Sequence, residues 1–198
     1  MLRTGSLEQR VSHKVFADEK FHGLAEYMIE SDEAACPGPL ALLVTQDAGW
    51  TLPVHYHRQE QFQVVVSGSG SLGQHRLAPL TVHYASRDAA YGPIIAGQAG
   101  LQYLTLRAMT GGGVWYMPES RAMMSRRPKR HAYAGPFLPS EAKSMIARQE
   151  PAAQTAIEPD ATGLAAWLVR LGPGQSMREP THERGGGRSS WSLLARCA

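Results

Sequence analysis

Short apolar runs separated by turn-forming residues fill the middle of the chain, from residue 40 to residue 108. Runs of about four to eight residues that are rich in β-branched and aromatic side chains, with Gly or Pro between them, predict strands. Because no helical period lies between these runs, the pattern predicts an all-β fold, an antiparallel sandwich or barrel over residues 39–110. The predicted strands are 40–45, 50–57, 62–66, 70–75, 80–85, 90–95 and 101–108.

The residues before this region show no sustained period. Residues 1–38 are polar and mixed in charge, and they predict an N-terminal arm that is either loose or laid along the barrel. Within the arm, residues 21–29 have apolar side chains at helical spacing, but Gly23 weakens a helix and a short strand stays open.

The residues after the barrel are predicted as a basic linker over 111–162. It contains one short helix over 141–149, where Ser140 can cap the first turn. We expect its basic cluster to be a solvated loop, because no aromatic residues interleave with the charges. The cluster consists of Arg121, Arg126, Arg127, Lys129 and Arg130.

Composition narrows the class of protein. The 198 residues are enough for one ordinary domain with appendages, and the net charge of +3 is far from that of a dedicated nucleic-acid binder. The sequence has no apolar run long enough to span a membrane and no signal-peptide core, so we expect a soluble cytoplasmic protein without a membrane partner. Cys36 and Cys197 have no metal-binding spacing and are expected to be free thiols.

The candidate chemistry lies between Gly49 and Gly68. Successive side chains of a strand point to opposite faces, so His55 and His57, two residues apart, project the same way. Two converging imidazoles are ligands for Fe, Mn, Zn, Ni or Cu.

This stretch resembles the first signature motif of the cupin superfamily, which is a glycine, His-x-His, a glutamate and a closing glycine. Gly49, His55, His57 and Gly68 match the motif, and Gln61 stands where the glutamate is expected. The resemblance implies a cupin-type antiparallel jelly-roll barrel, a fold that often holds a divalent metal.

The second cupin motif, P-x-G-x-x-H, has its best match at residues 86–91, which read SRDAAY. Its proline, glycine and histidine are all replaced, and Tyr91 stands in the place of the histidine. The resemblance therefore covers about residues 39–108.

The metal ligands predicted from the resemblance are His55, His57, Gln61 and Tyr91. A Gln oxygen is a weaker donor than a carboxylate, and a Tyr binds readily only as phenolate, whose unperturbed pKa is ~10. A one-residue bulge at the start of the strand would instead turn Glu60 inward and rebuild a set of two histidines and one carboxylate.

A small pocket is predicted around the two histidines, while His75 and His83 are expected at loop or strand surfaces. Without a metal, the inward groups would hold a polar ligand by hydrogen bonds. The residues assigned to the pocket are Gln61, Gln63, Tyr91, Tyr103 and Arg107.

Two functions follow. The first is a cupin-fold protein that binds a small polar molecule in the barrel pocket. The second is a metal-dependent cupin enzyme, of oxygenase or isomerase type, that uses His55 and His57 as ligands. Binding of nucleic acid ranks last.

Strand parity also predicts an apolar outer face. If Thr51 and Pro53 point inward with the histidines, then Leu52, Val54 and Tyr56 point outward. Such a row needs a cover, which the N-terminal arm, the C-terminal tail or a second subunit could supply, and we expect a homodimer.

The last predicted segment, residues 163–198, resembles the start of a second cupin unit. Residues 166–174 align with 41–49, and in that alignment His182 stands opposite His57. Too few residues follow for a second barrel to close, and His182 alone is expected to be a surface histidine.

Overall fold

The computed structural model describes residues 5–31 and 38–178. The chain divides into two compact units, residues 1–137 and residues 138–198. Within the described residues, no helix is long and apolar enough to cross a membrane.

The first unit is built almost entirely from antiparallel strands, so the predicted all-β class is confirmed. The strands are β1 Ser12–Ala17, β2 His22–Ile29, β3 Leu40–Gln46, β4 Thr51–Leu52, β5 His55–Tyr56, β6 Gln61–Leu72, β7 His75–Leu77, β8 Val82–Ala85, β9 Ile94–Arg107, β10 Trp115–Tyr116 and β11 His131–Ala134. The main sheet has the order β1-β2-β3-β9-β6-β8-β11, while β4 pairs with β9, β7 with β6 and β10 with β5.

Two long strands, β6 and β9, carry the sheet around a common interior. Each was predicted as separate shorter strands, but each continues through glycines, and their pairing shifts register between Val65 and Ser67 and between Gly68 and Gly70. Bulges of this kind bend a strand and raise its twist. The buried apolar residues of β2, β3, β6 and β9 therefore face one another and form the core.

The N-terminal residues differ from the predicted arm. Residues 12–29 form β1 and β2, and β2 joins the sheet beside β3 in the register Gly23↔Gln46. The open choice over 21–29 is thereby resolved as a strand. Gly23 fits within this strand. A Cβ at this position would lie only 2.0 Å from the Thr45 carbonyl oxygen of β3. A glycine is needed there to let the two backbones approach.

The predicted parity is wrong before the histidines. Leu52 is buried and Thr51 is exposed, which is the reverse of the prediction. The chain leaves the strand conformation at Pro53 and Val54, between β4 and β5, and this break shifts the alternation by one residue. Leu52 and His55 therefore both face the interior.

The face outside Tyr56 is covered by the same chain. β10 pairs with β5, the Trp115 ring stacks on Tyr56 with centroids 6.1 Å apart, and the Tyr56 hydroxyl donates to the Ser120 carbonyl at 3.0 Å. This cover comes from the predicted linker, which also contributes β11 to the main sheet. The homodimer stays a prediction.

The second unit contains β12 Ala152–Ile157, β13 Ala166–Arg170 and the helix α1 Ala142–Ile146. The helix is shorter than predicted, and Ser140 does not cap it, because its hydroxyl accepts a hydrogen bond from Arg170 Nε at 3.0 Å. The two strands pair with each other. Predictions for Cys36, His182 and Cys197 lie outside the described residues.

We predict that Gly68→Ala destabilises the fold more than Gly49→Ala. Both glycines have left-handed backbone, with φ of +76° and +70°, but a Cβ at Gly68 would lie 2.2 Å from the Gly100 carbonyl oxygen while Gly49 has open space. Strain alone costs about 1 kcal/mol, and the added overlap raises the loss at Gly68 to about 3 kcal/mol. Urea unfolding of both variants measures the difference, and equal losses would contradict the close approach of β6 and β9.

Candidate functional site

A cavity of about 650 Å³ lies inside the first unit. Volumes of this order are typical of pockets for small molecules. Apolar side chains from β2, β3 and β4 form one part of its wall, and polar side chains from β5, β6 and β9 form another. The apolar part includes Phe21, Leu40, Leu42, Val44 and Leu52.

The His-x-His pair lines this cavity, as the sequence predicted. His55 lies on β5, where its backbone exchanges hydrogen bonds with Tyr91, and His57 follows in the next loop. Both side chains are buried, and their ring centroids are 5.4 Å apart at 84° to each other. The two imidazoles are therefore close enough to contact one ligand.

Backbone carbonyls fix which nitrogen of each ring carries the proton. His55 Nδ1 lies 2.7 Å from the Pro53 oxygen, and His57 Nδ1 lies 2.7 Å from the Gly113 oxygen. Because a carbonyl can only accept, each Nδ1 donates, and each neutral ring keeps its lone pair on Nε2. No described residue bonds to either Nε2.

Burial keeps both rings neutral. Loss of hydration lowers the pKa of His55 to about 4, and the same cause lowers the pKa of His57 well below its ordinary value. The nearby positive charge of Arg107 lowers the pKa of both rings further. At neutral pH the pair therefore offers two hydrogen-bond acceptors to the cavity.

Gln61 and Tyr91 hold each other. The Gln61 amide nitrogen donates to the Tyr91 hydroxyl, and the Gln61 oxygen accepts from Arg107 Nε at 3.1 Å. Burial raises the pKa of Tyr91 to about 12, so its hydroxyl stays protonated. Tyr91 lines the cavity with its ring centroid 4.5 Å from that of His55, whereas Gln61 is not among the lining residues and reaches the site through Tyr91 and Arg107.

Glu60 is exposed, so the predicted alternative in which it replaces Gln61 is wrong. The pairing of β6 with β8 and β9 is regular from Gln61 onward, and no bulge turns Glu60 inward. The register shifts of this strand lie farther along, after Val65.

Arg107 is the one cation of the described cavity wall that is buried. It is 8% exposed and lies at the end of β9, directly opposite Gln61 at the start of β6. Within residues 5–31 and 38–178, Gln61 is its hydrogen-bond partner and no carboxylate pairs with it. Glu30, the acidic residue in the described lining, is exposed and accepts from the Ser12 hydroxyl at 2.8 Å.

Gln63 and Tyr103 also line the cavity, as parity on their strands predicted. Tyr103 is buried, and loss of hydration raises the pKa of its hydroxyl. Gln63 lies between the cavity and a second cluster of rings, because its side-chain oxygen accepts from His83 Nδ1 at 2.8 Å.

Sequence reasoning missed this second cluster. His83 was expected at a surface, yet it is 2% exposed, and its Nε2 lies 3.3 Å from His131 Nδ1. Tyr133 stacks on His83 with centroids 4.6 Å apart. Gln63 and His83 are opposite each other in the pairing of β6 and β8, so the burial of His83 depends on a register that alternation along one strand does not give. Gly113, whose carbonyl orients His57, carried no signal of its own.

The donor set does not suit a divalent metal ion. Two imidazole nitrogens are present, but the third donor is a neutral amide whose oxygen accepts from Arg107, and the fourth is a phenol that already accepts from the Gln61 amide. A fixed positive charge beside the histidines further opposes a second cation. The described residues contain no group of three or more His, Cys, Asp or Glu that could hold a metal.

Comparison with protein families and with curated proteins finds no match. Among solved structures, the chain is similar to a mutant oxalate decarboxylase of Bacillus subtilis, at 12% identity and a TM-score of 0.44 over 59% of this chain. It spans 33% of that protein's length. Another likeness is to the polyketide cyclase RemF of Streptomyces resistomycificus, at 14% identity and a TM-score of 0.48, over 63% of this chain and 94% of that one.

A third likeness, at 9% identity and a TM-score of 0.45, is to a formate complex of the Lactobacillus farciminis oxalate decarboxylase. The oxalate decarboxylases and RemF are cupin-fold proteins. The Bacillus subtilis enzyme has Mn(II) centres, which are a property of that protein. Likenesses this distant say nothing about the chemistry of this chain.

We predict that stability falls as pH falls from about 6.5 to 5. The pKa of His55 is lowered to about 4 and that of His83 to about 3, so below pH ~6.5 the unfolded chain binds more protons than the folded one. Each ring then costs up to about 2 kcal/mol by pH 5. Urea unfolding at both pH values measures the slope. His83→Asn should reduce it; an unchanged slope in His83→Asn would show that His83 protonates freely in the fold.

Proposed function

We propose that this protein is a cupin-type barrel that binds a small polar molecule in its cavity, and that it does so without a metal ion. The observation that carries the proposal is the pair of free Nε2 acceptors. Both rings are fixed through Nδ1, both are neutral, and both line a cavity of about 650 Å³. A ligand that donates to these nitrogens gains hydrogen bonds in a site of low dielectric constant, where such bonds are stronger than in water.

The cavity wall suits a ligand with an apolar body and polar groups at one end. The side chains of β2, β3 and β4 give an apolar surface, and His55, His57, Gln63 and Arg107 give the cavity its polar groups. Binding sites for small molecules commonly combine a mainly apolar wall with a few placed polar groups that fix orientation.

The alternative is a metal-dependent enzyme of oxygenase or isomerase type. The free Nε2 pair would serve such an enzyme as well, because imidazoles that bind metals usually donate their other N–H to a carbonyl or carboxylate. The rest of the donor set opposes it. Gln61 and Tyr91 are engaged with each other and with Arg107, so a metal would have only two strong ligands.

We predict that protein purified without added metal contains well below one equivalent of transition metal per chain. Elemental analysis checks this, with the His55→Ala, His57→Ala double variant as the control for adventitious binding. About one equivalent in the wild type that disappears in the double variant would establish the metal-dependent alternative instead.

We predict that 2-naphthol, a neutral hydroxyl donor with an aromatic body, binds the cavity and needs Nε2 of the pair. In a His→Asn change the amide N–H can replace the Nδ1–H donor, while Nε2 is lost. 2-Naphthol has a single hydroxyl proton and donates to one of the two Nε2 atoms, so the affinity should fall about 2- to 10-fold in the one variant, His55→Asn or His57→Asn, that removes this acceptor. Isothermal titration measures it, with His13→Asn as the matched change on an exposed strand. Failure of the wild type to bind would refute the proposed function.

A further inference from the structure

We infer that the ligand of this cavity is a carboxylate anion with a hydroxylated aromatic body, and that the Arg107 guanidinium holds the carboxylate. The inference rests on the proposed function and names the class of molecule that the cavity takes.

Arg107 carries a buried positive charge that no described carboxylate neutralises. Charged side chains are seldom buried without a partner of opposite charge, because removal of a cation from water costs several kcal/mol. Arg107 is 8% exposed and has no carboxylate partner among residues 5–31 and 38–178. An anion in the cavity would supply the missing charge.

The Arg107 guanidinium has hydrogen-bond donors that no described residue uses. A guanidinium has five N–H groups in a planar fork, and Nε uses one of them on Gln61 at 3.1 Å. The two terminal nitrogens make no hydrogen bond to a described residue. Their spacing matches the two oxygens of a carboxylate, which accepts two parallel hydrogen bonds from the fork.

Gln61 and Tyr91 orient the Arg107 guanidinium. Gln61 accepts from Arg107 and donates to Tyr91, so these two neutral residues position the guanidinium and leave its charge unneutralised. A glutamate in the place of Gln61 would pair with Arg107 directly. The amide in the cupin-like motif therefore keeps the cation available, and we assign Gln61 as a positioning residue.

The rest of the cavity wall indicates what the remainder of the ligand is. Tyr27, Tyr103 and Tyr116 line the cavity together with its apolar wall, and they suit a flat aromatic body. His55 and His57 offer acceptors only, so they require a hydroxyl or similar donor on that body. The carboxylate and the hydroxyl meet different groups of one cavity.

The test compares 4-hydroxy-2-naphthoate, whose hydroxyl is too far from the carboxylate to donate to it, with its uncharged amide, 4-hydroxy-2-naphthamide, by isothermal titration at pH 7.5. We expect the wild type to bind the acid about 10- to 100-fold more tightly than the amide. Arg107→Gln should abolish this preference, and Arg107→Lys, which keeps the charge without the fork, should keep part of it. Arg76→Gln, the same change at an exposed arginine of β7, should leave it unchanged.

Gln61→Glu gives a second, nearly isosteric readout. The new carboxylate would pair with Arg107 inside the protein, so the preference for the acid should disappear even though Arg107 is intact. Thermal unfolding of each variant without ligand confirms that the fold is kept, and it distinguishes loss of the anion site from loss of the barrel.

The outcomes separate this inference from the proposed function. Equal affinity of the wild type for acid and amide overturns the carboxylate assignment and leaves small-molecule binding intact. A preference that survives in Arg107→Gln shows that another group holds the anion. Binding of neither naphthalene compound, nor of 2-naphthol, removes the proposed function together with the inference.

Discussion

A buried guanidinium, Arg107, with no carboxylate partner in the part of the chain that the structure describes, is the constraint on which the rest of this site depends. The register of β6 and β9 places Arg107 opposite Gln61, and the bond between them fixes the cation at the histidine pair. Burial lowers the pKa of both histidines, the charge of Arg107 lowers it further, and the same charge opposes a metal ion. A cation that no described carboxylate neutralises thus contributes both to what the cavity excludes and to what it attracts.

The backbone completes this arrangement. Carbonyl groups of Pro53 and Gly113 take the Nδ1 protons of the histidine pair, which leaves both Nε2 atoms to the cavity. Gly113 comes from the segment that follows β9, a region that the sequence suggested was only a linker. That segment also pairs with β5 and covers Tyr56, so the same residues close the outside of the strand and orient its inward side chains.

The hydrophobic pattern predicted the all-β class, and alternation, which is a local property of a strand, predicted that His55 and His57 face the same way and that Arg107 lines the pocket. The resemblance to the cupin motifs, not alternation, grouped Gln61 and Tyr91 with the histidines. The sequence could not predict the shift at Pro53, the pairing of residues 12–29 as strands or the burial of His83. These depend on register between distant segments. The role of Arg107 also could not be predicted, because one sequence does not show which buried charges lack a partner of opposite charge.

The central claim is tested most directly by the side-chain NMR spectrum of Arg107, assigned by its absence in Arg107→Lys. On addition of 4-hydroxy-2-naphthoate, two hydrogen bonds to the carboxylate should slow rotation about the bonds to the terminal nitrogens and separate their proton signals. The amide should leave the spectrum unchanged. Binding of the acid with no change in the Arg107 signals would contradict the account, because the anion would then be held elsewhere.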